Sequence, residues 1–458
     1  MNTGQPPIKN HRWARLLYGA LIMVAVGYVY SWSIFATPFE EEFGWDAPTL
    51  SLNFSVLMFS FCFGGLLGAQ LTERFSARLA LLCAAAMTAA GFFGALLVTA
   101  NSPWLLYLTF SLFSGLAAGQ CYTVVMAALI PWFQDHIGLA SGILLMAYSC
   151  ATMLHGVAAA VLFARFGWRT TFVTYALVIT TVLLAGMLLV RKPRPGELQE
   201  KSFGEGAAEA AGLKPAREQG VSQKPEAMQG QQRQREPRPA VPTRELELTR
   251  ERKPVASARD FSTTQMLKTP LFYVYALWML LVSSMGLALT GHINQLALSL
   301  GAAVALAVGF VSLYSVSNAL GRVVMGVVFD RFGVFVAMLA DALLVTAGAV
   351  LTLLSVHLSS IGLLAAAVIL YSVGMSATPV CGSGSMAVFF GPTHYGTNLA
   401  VLNLTLVPAG FIGPSLMAFS MIGTGSYADA MTLMSLLGLV SVALVVIFWL
   451  LSQRFSRT

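Results

Sequence analysis

Apolar runs of about 20 residues recur along nearly the whole chain, separated by short polar stretches. As a helix, a run of that length crosses a bilayer core of roughly 30 Å. The pattern predicts helices over 15–38, 49–71, 78–100, 103–131, 138–164 and 168–190, and a second set over 271–296, 302–328, 334–356, 360–388, 395–421 and 427–452. The predicted fold class is therefore an all-α membrane protein, with twelve transmembrane helices in two six-helix bundles. Between the sets, 191–270 is rich in Pro, Gln, Glu, Arg and Lys. Such a segment buries too little apolar surface to offset its ordering entropy. It is expected to be a largely disordered linker between a bundle at 1–190 and a bundle at 271–458. The first apolar run, Leu16 to Phe39, follows Arg12 and Arg15 as the core of a signal peptide would. It is too long for one, and a retained first helix is expected.

Composition strengthens this reading. The chain is 57% hydrophobic and 10% charged, with a mean hydropathy of +0.72, whereas a soluble domain carries about 25% charged residues. The net charge of +7 does not mark a nucleic-acid binder. Of 27 Lys and Arg, 16 lie between Arg191 and Lys268, mixed there with 11 acids. Elsewhere the basic residues sort by side. Placing the N-terminus in the cytoplasm puts Lys9, Arg12, Arg15, Arg74, Arg78, the linker, Arg331, Arg454 and Arg457 inside, and leaves outside only Arg165 and Arg169 beside the acidic run from Glu40 to Asp46. The positive-inside rule selects that orientation, so both termini are expected in the cytoplasm of an inner-membrane protein. The five cysteines all lie in apolar segments, with neither metal-ligand nor disulfide spacing.

The halves repeat. GGLLGAQLTERFS at 64–76 aligns with GRVVMGVVFDRFG at 321–333, 257 positions later, and Trp132-Phe133 with Gly138 echoes Phe389-Phe390 with Gly396. Two related bundles around a shared site is a recurring transporter plan. The loop Asp330-Arg331-Phe332-Gly333, preceded by Gly326, and its partner Glu73-Arg74-Phe75-Ser76 resemble the signature loop of the major facilitator superfamily. His11-Arg12-Trp13, Tyr30-Ser31-Trp32 and Trp132-Phe133 followed by Gly138-Leu139-Ala140-Ser141-Gly142 resemble, more narrowly, the oxalate/formate antiporter family and its monocarboxylate-porter relatives. The resemblance covers both bundles and not the linker.

Arg322 is the basic residue that falls deep inside an apolar segment, about eight residues before the end of the eighth helix. An arginine at a helix centre costs about 2.5–3.5 kcal/mol on insertion scales. The repeat does not require it, since its counterpart in the first half is Gly65. A guanidinium stays charged when poorly hydrated, and its fork matches a carboxylate. A snorkelling or structural arginine is the competing reading. The resemblance implies that Asn318 and Arg322, standing in an N-x-x-x-R pattern, hold a substrate carboxylate. It also implies a second cation in the eleventh helix of oxalate carriers; aligning His394-Tyr395-Gly396 puts Leu402 there, with Asn403 adjacent and no lysine in any register. That departure favours a monocarboxylate over a dianion. Tyr122 and Tyr30 match family tyrosines of the fourth and first helices. Gln120 and Asn403 are polar neighbours, for which interhelical hydrogen bonding is the alternative. His155 is a candidate proton partner or carboxylate donor, weighed against a histidine satisfied by a backbone carbonyl. Asp341, a carboxylate inside a span, is a coupling candidate by default, although a structural role near Arg331 is the reading preferred.

No H-E-x-x-H, G-x-S-x-G or nucleotide loop is present, so an enzyme is not expected. Gly382-Ser383-Gly384-Ser385 is expected to break the tenth helix, and Gly413-Pro414 to bend the eleventh. The functional expectation is secondary active transport of a small organic anion of the lactate, pyruvate or formate type, by proton symport or anion exchange. No cofactor or metal is expected, and the protein is expected to act as a monomer in the bilayer. An oxalate/formate exchanger and a non-transporting membrane sensor on the same fold are the alternatives.

Overall fold

The computed structural model describes residues 8–193 and 260–455. Ten helices among them are long and apolar enough to cross a membrane. Two of the ten, Ile137–Leu189 and Val304–His357, run to 53 and 54 residues, about twice what a bilayer needs. Each contains one glycine that leaves the helical conformation: Gly167 at φ 73°, ψ 167° and Gly333 at φ 85°, ψ 172°. That region is essentially open to glycine alone. Each long helix is therefore two spans, and the spans among the described residues number twelve.

We label them α1 (Arg12–Phe43), α2 (Leu52–Arg74), α3 (Ala77–Ala95), α4 (Pro103–Trp132), α5 and α6 (137–166 and 168–189), α7 (Pro270–Ser299), α8 and α9 (304–332 and 334–357), α10 (Ile361–Phe390), α11 (Tyr395–Thr424) and α12 (Ala428–Phe455). An even number of spans brings both chain ends to one face. In lipid every backbone polar group needs an internal partner, and helices supply it. Side-chain packing then decides the arrangement, because lipid offers no hydrophobic drive between helices. In the first half Phe35, Phe92, Phe110 and Phe172 interlock around Tyr28, whose hydroxyl donates to the Ser114 carbonyl at 2.8 Å.

Several local expectations need correction. α1 is interrupted by a tight turn of 3-10 helix at Gly27–Ser31. α10 is continuous from Ile361 to Phe390, so Gly382-Ser383-Gly384-Ser385 does not break it. Those residues serve packing instead. A side chain at Gly384 would overlap the Phe329 ring, and the Ser383 hydroxyl lies 2.7 Å from that of Tyr395. In α11 the helix lapses at Leu404 and Thr405, between Tyr395–Asn403 and Leu406–Thr424, while Pro414 stands inside the second piece. The expected linker lies mostly outside the described residues, but its end is ordered. Ser262 and Gln265 form a capping box, Phe261 N–H donates to the Phe390 carbonyl at 2.9 Å, and Thr393 N–H donates to Asp260 at 3.1 Å. That short segment docks beneath the second bundle.

Candidate functional site

Tyr314, Asn318 and Arg322 stand at i, i+4 and i+8 on α8, so they share one stripe of the helix. Their side chains then diverge. Asn318 Nδ2 donates to the Ser372 carbonyl on α10 at 3.0 Å, within its own bundle. Arg322 Nη1 donates to the Leu145 carbonyl on α5 at 2.7 Å, across to the other bundle. The guanidinium is thus not left open in a cavity; in this conformer it ties the two halves together. A hydrogen bond from a charged donor is worth about 1.5–3 kcal/mol.

One turn beyond Leu145, Tyr148 joins Tyr122 of α4 and Phe61 of α2 in an aromatic trio. The Tyr122 centroid lies 5.7 Å from those of both Phe61 and Tyr148, and the Phe61 and Tyr148 centroids are 6.1 Å apart. Tyr148 was missed by sequence reasoning. Gly138, Gly142, Leu145 and Tyr148 follow one another at helical spacing, so the glycine pair already marked the face on which it sits. The bond from Arg322 to the Leu145 carbonyl crosses between the bundles, and the aromatic trio begins one turn further along α5, at Tyr148.

The remaining candidates lie apart from Arg322 or reach other partners. Gln120 is fully buried and donates from Nε2 to the Ala80 carbonyl on α3 at 2.6 Å, beside Gly68. His155 Nε2 lies 2.7 Å from the Val24 carbonyl on α1, which requires the hydrogen on Nε2, and the ring packs against Tyr175 and Tyr28. Both sit inside the first bundle. Asn403 is buried in α11, where its carbonyl accepts from the Cys62 thiol of α2 at 3.9 Å. The side chain of Tyr30 lies outside the described residues. Asp341 is fully buried in α9 and accepts from the Thr378 hydroxyl at 2.8 Å; Thr378, not Arg331, is its partner. Among the described residues no group of His, Cys, Asp or Glu is placed to hold a metal ion, and the five cysteines are free thiols.

The signature loops act as a pair of clasps. Asp330 at the end of α8 accepts from the N–H groups of Gly138 and Leu139, at 2.6 and 2.8 Å, at the start of α5. Glu73 at the end of α2 accepts from the N–H and hydroxyl of Thr397, at 3.2 and 2.7 Å, at the start of α11. A carboxylate at a helix N-terminus meets unsatisfied N–H groups and the positive end of the helix dipole. Glu73 and Asp330 are the repeat-related pair read from the sequence, so the two clasps are pseudo-symmetric. Arg331 is exposed and lies over the Phe332 ring. Beside the Asp330 clasp, a Cβ on Gly138 would fall 2.3 Å from the Gly326 carbonyl, and one on Gly326 equally close to that of Gly138. Small residues here let α5 and α8 touch backbone to backbone. These contacts all lie toward the face that carries both chain ends, where the two halves are shut against each other. A crevice of about 430 Å³ opens on that face, lined in part by Glu73, Gln134, Lys192 and His394, and away from Arg322.

The twelve spans, the repeat and the paired loops define a class, and comparison with known proteins gives it a name. The family model of the Major Facilitator Superfamily matches residues 17–414, and the chain belongs to that superfamily of membrane transporters. It is 20% identical over 323 residues to the uncharacterized MFS-type transporter YhjX of Escherichia coli (strain K12), covering 70% of this chain and 66% of that protein. It is 27% identical over 153 residues to the oxalate:formate antiporter of Oxalobacter formigenes, covering 33% and 36%. It is 24% identical over 171 residues to monocarboxylate transporter 12 of Xenopus laevis, covering 37% and 36%. The matches thus span just under two thirds of the first relative and about a third of the other two. Among solved structures, the proton:xylose symporter XylE superposes with a TM-score of 0.67 over 98% of this chain and 96% of its own, at 14% identity, a likeness of fold.

Proposed function

We propose that this protein is a secondary active transporter of a small monocarboxylate, such as lactate, pyruvate or formate, working by alternating access of its two bundles. The observation that carries the reading is the bond from Arg322 to the Leu145 carbonyl. A neutral carbonyl is a modest partner for a guanidinium. A carboxylate accepts two parallel, charge-assisted hydrogen bonds, each roughly twice as strong as a neutral one. A substrate carboxylate reaching Arg322 therefore displaces Leu145, loosens the tie between α5 and α8, and leaves the arginine neutralised for reorientation. Tyr122 and Tyr148, whose rings pack together one turn along α5 from Leu145, are the side chains assigned to the rest of a small acid.

Charge count supports a monoanion. α11 contributes no lysine or arginine anywhere in Tyr395–Thr424, and Leu402 is fully buried. A dianion at Arg322 would keep an unpaired charge in a low-dielectric site. The similarity to an oxalate:formate antiporter keeps one rival reading, that the chain exchanges a dicarboxylate. The basic residues at the face of the chain ends support an inner-membrane protein with both termini in the cytoplasm, so the shut face is the cytoplasmic one.

Binding to the purified protein separates the readings. Lactate, pyruvate and formate should raise the melting temperature of wild type and not of Arg322→Gln. Stabilisation by oxalate alone would favour the exchanger, and none by any carboxylate would leave the substrate class without support.

A further inference from the structure

A histidine stands at each clasp. α5 and α11 are the helices whose first N–H groups the two carboxylates hold, and each is preceded by a histidine at its cap, His136 before Ile137 and His394 before Tyr395. Neither ring makes a capping bond to its own helix. Both turn toward acids instead. His394 Nδ1 lies 3.3 Å from Glu73 Oε2, on the carboxylate whose other oxygen accepts from Thr397. His136 lies within Coulombic range of Asp330, and its Nε2 is 3.7 Å from Asp135 Oδ2. The two side chains are 50% and 39% exposed, so protons from the solvent at that face reach both rings.

The charges facing the rings are alike. At His136 they are Asp330 and Asp135, with Arg12 bound to both oxygens of Asp135. At His394 they are Glu73 and Asp260, which accepts from the neighbouring Thr393 N–H, with Lys192 within Coulombic range of Glu73. In each set one acid comes from the opposite bundle, Asp330 at His136 and Glu73 at His394. The other acid belongs to the ring's own half and is already engaged. Lys192 faces His394 across the crevice that both line, whereas Glu73 touches the ring, so the carboxylate dominates.

Position supplies the sign. A cation at a helix N-terminus opposes the dipole and the unsatisfied N–H groups. An imidazolium at either cap therefore gains from the opposite bundle's carboxylate and loses by its departure. When the face opens, Glu73 leaves α11 and Asp330 leaves α5, while the dipole stays with each histidine. The charged rings thus favour the shut arrangement and oppose the open one.

We propose that His136 and His394 form a proton latch: acid at the face of the chain ends charges both rings, tightens the two clasps and holds that face shut. This rests on the alternating-access reading above and adds a control to it. Histidine is the side chain whose charge ordinarily changes between about pH 5 and pH 8, so the latch answers to the pH of the compartment and not to substrate. A proton that favours one conformer shifts the population toward it. With the chain ends in the cytoplasm, a fall in cytoplasmic pH brakes the carrier.

Spin labels at Leu79 and Leu267, exposed positions in the two halves, test this on the full-length protein in lipid without substrate. The shut population should grow several-fold from about pH 8 to about pH 5.5, a window above that in which carboxylates ordinarily protonate. His136→Gln and His394→Gln should each remove part of the response, and the double variant should remove it all. A wild-type distribution indifferent to pH, one that opens in acid, or a response that survives in the double variant would overturn the latch. Glu73→Gln combined with Asp330→Asn separates that failure from failure of the alternating-access reading, because it should open the face whatever the histidines do.

Discussion

Arg322 of α8 donates to the carbonyl of Leu145 on α5 at 2.7 Å, the side-chain bond by which the candidate substrate arginine of one bundle holds the backbone of the other. The repeat-related position shows what is special about it. A side chain at Gly65 would meet the Thr123 hydroxyl at 2.9 Å and Ala400 of α11 at 3.8 Å. The two bundles therefore close on one side through a bare helix crossing, and on the other through a charged side chain that a ligand can recruit. A symmetric scaffold thereby acquires an asymmetric site.

The α5–α8 seam should tolerate no added bulk. Gly326→Ala places a methyl group 2.3 Å from the Gly138 carbonyl, and overpacking of this kind costs about 1–3 kcal/mol. The shut arrangement should lose that much relative to the open one. A cysteine substituted at the buried Ala140 should then react faster with an impermeant maleimide than in the parent. Equal rates would mean the seam does not hold the face closed.

The clasps should act in the same direction. Glu73→Gln and Asp330→Asn each keep the shape of the side chain and remove its charge from a helix N-terminus. Hydrogen bonds to charged groups contribute about 1.5–3 kcal/mol, so each variant should shift the conformers toward opening at that face, and the double variant further. Spin-label distances across the seam provide the readout, and unchanged distributions would contradict the assignment.

Gln120 and Tyr148 should separate structure from transport. Gln120→Leu removes a buried hydrogen bond to Ala80, worth about 1 kcal/mol, and should lower thermal stability while leaving the apparent KM unchanged. Tyr148→Phe keeps the ring packing and should raise KM with little effect on melting. The reverse pattern in transport assays would place Gln120 at the substrate.

Much of this architecture was legible in the chain. Spans declare themselves by length and hydropathy, and the 257-residue repeat pointed to Glu73 and Asp330 before any contact was known. The direction of each polar side chain was not legible. His155 and Gln120 occupy spans that line the bundle interface, yet both turn into the first bundle, because the neighbour that satisfies them is a backbone carbonyl with no sequence signature. The turn at Gly27–Ser31 and the lapse at Leu404 were hidden for a similar reason: hydropathy is blind to helix pitch. Asp341 was visible as a buried acid, while Thr378, 37 residues away, was not visible as its partner.

The base of the first bundle should be acid-sensitive. Arg12 binds both oxygens of Asp135, at 2.9 and 2.8 Å. Burial alone would raise the Asp135 carboxyl, but the Arg12 hydrogen bonds and charge outweigh it and hold the group below the usual carboxylate range. A depressed folded pKa gives stability that is complete above the unfolded value of about 3.9 and lost as pH falls through the folded one. The side chain is 47% exposed, so the contribution is small. The melting-temperature gap between wild type and Asp135→Asn should be constant above about pH 5 and close in stronger acid. A gap that widens on acidification would refute the pairing.

Arg322 is proposed to hold a monocarboxylate through its guanidinium fork, and uptake of labelled lactate into proteoliposomes is the decisive measurement. The comparison is wild type against Arg322→Lys, with unlabelled pyruvate, formate and oxalate as competitors. Uptake should be saturable, competed by pyruvate and formate but not by oxalate, and lost in Arg322→Lys although the charge is kept. Uptake that survives in the lysine variant, or is competed by oxalate as strongly as by pyruvate, would contradict that assignment.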